Sequence, residues 1–162
     1  MIRTLGNLLA FAAASLTAAP AVALSCLRPD VSQSYKAASE AAEAYIVVHG
    51  QLQHDKVSVP ERTQEGGAPE TFEARLVGSY LNGADFSGAF DAPVTVTLNC
   101  AVVWCAPLPP QDSDILAFVQ KTESGFLIDA QPCQQWLFTA PTAAQIEQIT
   151  SCHAGGDCTP SN

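Results

Sequence analysis

The chain of 162 residues carries sixteen acidic and seven basic side chains, a net charge of −9, and 48% of its residues are apolar. That charge repels phosphate backbones and excludes nucleic acid as an expected partner, while the length suits one domain with a buried core. The acids are scattered along the chain, as on a solvated surface, rather than gathered into blocks.

Residues 1–23 read as a secretory signal peptide. Arg3 supplies a positive start, Leu5 to Leu16 an apolar stretch, and Ala21-Val22-Ala23 an A-x-A cleavage site. The apolar stretch falls short of the roughly 20 residues of a membrane span, so none is expected. Cleavage after Ala23 leaves residues 24–162 as a single domain of charge −10, because Arg3 departs with the leader. A cut after Ser25 is disfavoured, since serine is a poorer cleavage residue than Ala23. Lipid anchoring at Cys26 is disfavoured too, because Leu24 stands one place late for a lipoprotein junction. The short, simple leader points to a bacterial exported protein, periplasmic or secreted. All six cysteines follow the leader, and an even count in an exported chain predicts three disulfides. Spacing alone does not choose among the pairings.

"PDVSQSYKAASEAAEAY" (29–45) predicts a helix of about three turns, capped by Asp30 or Ser32, with Tyr35, Ala38, Ala42 and Tyr45 at helical spacing. "AYIVVHGQLQ" (44–53) turns β-branched. Tyr45 to Val48 read as a strand buried on both sides, and Gly50 as a bulge or sharp coil. Residues 54–70 are polar with two prolines and Gly-Gly, a long exposed loop or hairpin tip. In 71–81, Phe72, Ala74 and Leu76 alternate with Glu73 and Arg75, a half-buried strand. Residues 82–88 have turn chemistry, and 92–100 alternate again as a third strand. The two cysteines and three prolines of 100–114 predict a constrained loop. Segments 115–121 and 126–131 predict a hairpin turning at Gly125. Residues 139–152 predict a helix opened by a Thr142–Gln145 capping box, with Ile146 and Ile149 as its buried stripe. Five strands and two helices suggest a small closed barrel with helices packed on it.

"YIVVHGQL" after a Cys-containing segment, "WCAPL", "ILAFVQKTESGFLIDAQPC" and a helix ending at "ITSC" together resemble the netrin-like module of the tissue inhibitors of metalloproteinases and related bacterial exported proteins. The likeness covers most of residues 24–152. It implies a mainly β fold, an OB-type five-stranded closed barrel with an N-terminal and a C-terminal helix. It also implies cysteine pairs. Cys26 matches the family's second cysteine, whose partner precedes the last helix, here Cys133. Leu24 stands where the first family cysteine belongs, so Cys105 is left to pair with Cys100, and Cys152 with Cys158.

In the inhibitors, the first residue's amine and carbonyl chelate the target's zinc, and the next side chain enters its specificity pocket. The resemblance places Leu24 and Ser25 there. A neutral α-amine is a competent zinc ligand, but without a cysteine at 24 the end is tethered only through Cys26. The loop of Trp104, Pro107, Pro109 and Pro110 matches the family's second partner-contacting segment. Trp104 is either exposed on that edge or caps the barrel, and the sequence leaves both open.

Catalytic motifs are missing: there is no G-x-S-x-G and no H-E-x-x-H. A lone strand histidine such as His49 is more often structural than a base. "CHAGGDC" (152–158) lacks a standard zinc spacing and reads as a disulfide-closed turn. Four residues rather than two separate Cys100 from Cys105, which argues against a redox pair. The expectation is an exported, disulfide-stabilised, non-catalytic binding module of the cell envelope, monomeric, with no cofactor and no metal. Its partner would be an extracytoplasmic protein such as a zinc metalloprotease. The competing class is a small exported enzyme or thiol-redox protein.

Overall fold

In the computed structural model, residues 26, 30–55, 57, 67–101 and 104–160 are described. The expected leader, its cleavage junction and most of the 54–70 loop lie outside the described residues.

The first helix, α1, is Val31–Glu40. Asp30 is its N-cap: the carboxylate accepts the backbone N–H groups of Ser32 at 2.9 Å and Gln33 at 3.1 Å, and the Ser32 hydroxyl. These donors have no partner inside a helix, so the cap supplies one. The helix stops before the expected 45, with Ala41 already extended. The β-branched run that follows gains more by pairing as a strand.

Eight strands follow: β1 Ala44–Gln53, β2 Glu70–Asn82, β3 Asp85–Leu98, β4 Cys100–Ala101, β5 Trp104–Cys105, β6 Ser113–Thr122, β7 Gly125–Ala130 and β8 Leu137–Thr139. The last element is α2, Ala143–His153, opened by the Thr142–Gln145 capping box. The main sheet has six strands in the order β1-β2-β3-β7-β6-β8, and β1 also pairs with β6. The pairing β3–β7 is parallel; the others are antiparallel. From β1 through β2, β3, β7 and β6 the pairings therefore return to β1. Strands β4 and β5 form a separate ribbon.

The sheet corrects the expected five strands to six. β8 is three residues long, too short to show a period, yet Leu137 and Phe138 pair with Ala117 and Leu116. The expected 82–88 turn is also shorter. Only Gly83 and Ala84 turn, and β3 begins at Asp85. Phe90, Val94, Val96 and Leu98 share one face of β3 at period two, while Phe86 lies at a register shift and packs elsewhere. Gly88 and Pro93 interrupt that signal in the sequence. Pro93 precedes Thr95, where the β7 pairing starts, so its missing N–H costs no β3–β7 bond.

Two buried clusters lie on either side of β6. Ile115, Ala117 and Val119 join Val48, Leu52, Leu76, Val96 and Ile128 in the larger one. Leu116 and Phe118 join Val31, Val47, Phe138 and Ile149 in the other, under the helices. This explains the unbroken apolar run of β6: both faces are covered. Each Val, Leu, Ile or Phe among them contributes roughly 1.5–3 kcal/mol by leaving water. Among the described residues no helix is long and apolar enough to cross a membrane.

Candidate functional site

The residues of interest gather where β7 ends. Asn99, between β3 and β4, donates its backbone N–H to the Ala130 carbonyl at 2.9 Å, and its side-chain amide to the Asp129 carboxylate. Asp129 is held in turn by the Gln131 amide at 2.6 Å. On the other side of the ribbon, Ala106 donates its N–H to the Asn99 carbonyl at 2.7 Å. Both ends of the β4–β5 ribbon thus converge on Asn99, and Asn99 is bonded to the end of β7.

The ribbon is closed covalently. Cys100 and Cys105 are register partners and are joined by a disulfide, with Cα atoms 3.9 Å apart. Trp104 stands opposite Ala101 and is 54% exposed, the large apolar side chain that the described residues leave in solvent. Of the two sequence readings, exposure is the one observed. The proline loop divides. Pro107 and Pro110 are exposed, but Pro109 is buried, which corrects its expected place on an exposed contact loop. Leu108 packs on the larger core, and the Pro109 carbonyl lies 3.0 Å from His54 Nε2. The chain here returns to the sheet, so only its beginning projects.

Cys133 lies three residues beyond β7 and is joined to Cys26, with Cα atoms 5.3 Å apart. Cys26 is exposed. The N-terminal tether and the ribbon are therefore both attached at the C-terminal end of β7. Leu24 and Ser25 lie outside the described residues. The third disulfide is Cys152–Cys158. All three pairs are those implied by the resemblance, and no described cysteine is free.

The histidines are held separately. His49 Nε2 lies 3.0 Å from an Asp114 carboxylate oxygen across β1 and β6, a half-exposed pair worth at most about 1 kcal/mol. His54 has backbone oxygens at both ring nitrogens, Asp55 at 2.7 Å and Pro109 at 3.0 Å. His153 Nδ1 lies 3.2 Å from the Tyr35 hydroxyl and links α2 to α1. Among the described residues no three His, Cys, Asp or Glu side chains group to hold a metal ion. The tail after α2 is more ordered than its glycines suggest. Gly156 donates to the Ser151 carbonyl at 2.9 Å, and Asp157 accepts the Thr159 N–H at 3.0 Å and its hydroxyl at 2.9 Å. Those two bonds hold the Asp157 carboxyl below the usual aspartate range.

No protein-family model, curated protein or solved structure matches the chain. What the chain itself defines is a mainly β protein with a helix at each end of the described fold, three disulfides and an exposed tryptophan on a disulfide-closed ribbon.

Proposed function

We propose that the protein is an exported, non-catalytic binding module that docks an extracytoplasmic protein with the edge formed by Trp104 and the Cys26 tether. The carrying observation is that Trp104 is exposed on a disulfide-closed ribbon attached, like Cys26, at the end of β7. A rigid exposed tryptophan loses little freedom on docking and buries a large area, which is how a few residues dominate an interface. In this reading the strand pairings form a closed five-stranded barrel of OB type, netrin-like in its order, with β8 as an addition. The single parallel pairing, β3–β7, supports it. The acidic net charge and the paired cysteines fit a protein of the periplasm or outside the cell. Inhibition of a zinc metalloprotease is the narrower form of the proposal, with Leu24 and Ser25 at the protease's metal.

The first test is site-specific photocrosslinking in the producing cell, with a crosslinking aromatic residue at position 104 and a control at Glu123. The expected result is a discrete adduct with one envelope or secreted protein at 104 and none at 123. Equal labelling at both positions, or none at 104, counts against the docking edge. The narrower form is tested by titrating zinc metalloproteases with the exported protein before and after acetylating its N-terminus. Trp104→Ala should weaken a true complex roughly 30-fold, the size of a central interface residue.

A further inference from the structure

The outer face of β1 and β2 is only partly covered by α1. The helix stops at Glu40, and near its end it offers only the short side chains of Ala38 and Ser39. A groove of about 230 Å³ remains, bounded by Tyr35 and Ala38 of α1, Tyr45 of β1, Tyr80 and Leu81 of β2, and His153 of α2.

Its aromatic walls are fixed by their surroundings. Tyr45 stacks one ring face on Trp136, with centroids 5.0 Å apart and 17° between planes. Tyr80 lies against Gly88, so near that a Cβ there would stand 2.2 Å from its Cζ. Tyr45 thus has one ring face taken by protein, while Tyr80 lines the groove and also packs against the larger core. Tyr35 meets the His153 ring edge-on at 5.9 Å. Neither the Tyr45 nor the Tyr80 hydroxyl has a hydrogen-bond partner among the described residues.

The carbonyl end of α1 carries the negative end of the helix dipole, and its last turn has no basic residue to offset it. Exposed Glu40 ends the helix, and exposed Glu43 follows in the connection to β1. Burial, then the carboxylates of Glu43 and Asp129, hold the Tyr45 phenol above its ordinary value of 10.0. Among the described residues no Lys or Arg lines the groove; Lys36 is on the exposed side of α1. Among the described lining residues, His153, when protonated, is of opposite sign.

We propose that this groove binds a small organic cation whose charge is wrapped in alkyl groups, a quaternary or tertiary ammonium. Ring faces attract such a cation, and its methyl groups suit an apolar lining. A bare ammonium ion would give up strong hydration without acceptors to replace it. An anion meets the carboxylates and the helix C-terminus. A neutral isostere keeps the packing but loses the attraction to charge.

The test is a titration of the disulfide-bonded protein followed by amide NMR, with choline and with its uncharged carbon isostere, 3,3-dimethylbutan-1-ol, as probes. Choline should give saturable shifts at Tyr35, Tyr45 and Tyr80, and the isostere should bind at least about 5-fold more weakly. Tyr45→Leu and Tyr80→Leu should each weaken choline about 2- to 5-fold, while Tyr45→Phe keeps it. Ala38→Leu fills the groove with a good helix former and should abolish binding in a protein of unchanged circular dichroism. Should a leucine variant of either tyrosine fail to fold, Ala38→Leu decides. Absence of saturable shifts in the groove, equal binding of the isostere, or choline binding that survives Ala38→Leu overturns the proposal.

Discussion

Gly50 and Gly78 face each other in the β1–β2 register. A Cβ on Gly50 would lie 2.3 Å from the Val77 carbonyl oxygen and 2.7 Å from the Gly78 Cα; one on Gly78 would lie 2.2 Å from the His49 oxygen. These neighbours are backbone and cannot swing aside, so the strands cross at a spacing only glycine permits. β1 pairs with β2 on one edge and β6 on the other, so moving it disturbs both ladders. Gly50→Ala should therefore cost at least about 2 kcal/mol, a large loss for one methyl group. Guanidinium unfolding at constant slope would measure it, and a loss below 0.5 kcal/mol, the ordinary scale of surface changes, would refute the close approach. The sequence marks Gly50 as a coil or bulge because it interrupts a β-branched run. It cannot show that Gly78 is the reason, since the two meet only once the register is set. The same limit hides the Tyr80–Gly88 contact and the groove beside it. Tyr35, Tyr45 and Tyr80 are separated along the chain, and no local period joins them.

At the scale of elements, what the sequence discloses is what local chemistry controls. The capping box of α2 is an example: Gln145 N–H reaches the Thr142 hydroxyl at 3.2 Å, and the Gln145 side-chain oxygen accepts the Thr142 N–H at 2.9 Å. Both bonds lie within four residues, so the motif is visible in sequence. Thr142→Ala should destabilise the protein by about 1 kcal/mol, read from thermal or denaturant unfolding. The variant should also speed amide exchange in the first turn of α2 and leave β6 unchanged, because Ile149 still anchors the helix to the second cluster. Where tertiary pairing decides, local reading fails. Tyr45 fits the helical spacing of α1 and also the β-branched run of β1; pairing with β6 from Ala44 onward settles it as strand. β8 exists because β6 has an open edge at Ile115–Ala117, a property of the sheet and not of "WLFT". The β4–β5 ribbon is similar: two-residue strands carry no period, and only the Cys100–Cys105 bridge makes that loop regular.

For the molecule as a whole, the three disulfides do different work. Cys26–Cys133 spans a sequence separation of 107, enclosing α1 and every strand except β8. The other two span 5 and 6 residues. If the bridges act by restricting the unfolded chain, the long one contributes about 5 kcal/mol and each short one about 2 kcal/mol. The packing gives no competing account of the first. Cys26 is exposed, and neither it nor Cys133 belongs to a buried cluster. Cys152 differs, being buried itself, with Cys158 beside the Ser32 carbonyl at the start of α1. Its loss removes packing as well as a short loop. Replacing Cys26 and Cys133 together by serine should thus lower stability by about twice the loss from replacing Cys100 and Cys105, while circular dichroism of the folded protein stays the same. Both pairs lie outside the buried clusters, so their comparison isolates loop length. Equal losses from the two double variants would mean that the long bridge stabilises through native contacts near the end of β7 instead. In that case the edge carrying Trp104 would loosen with it, and amide exchange at Asn99 and Ala106 would rise in the Cys26 and Cys133 variant.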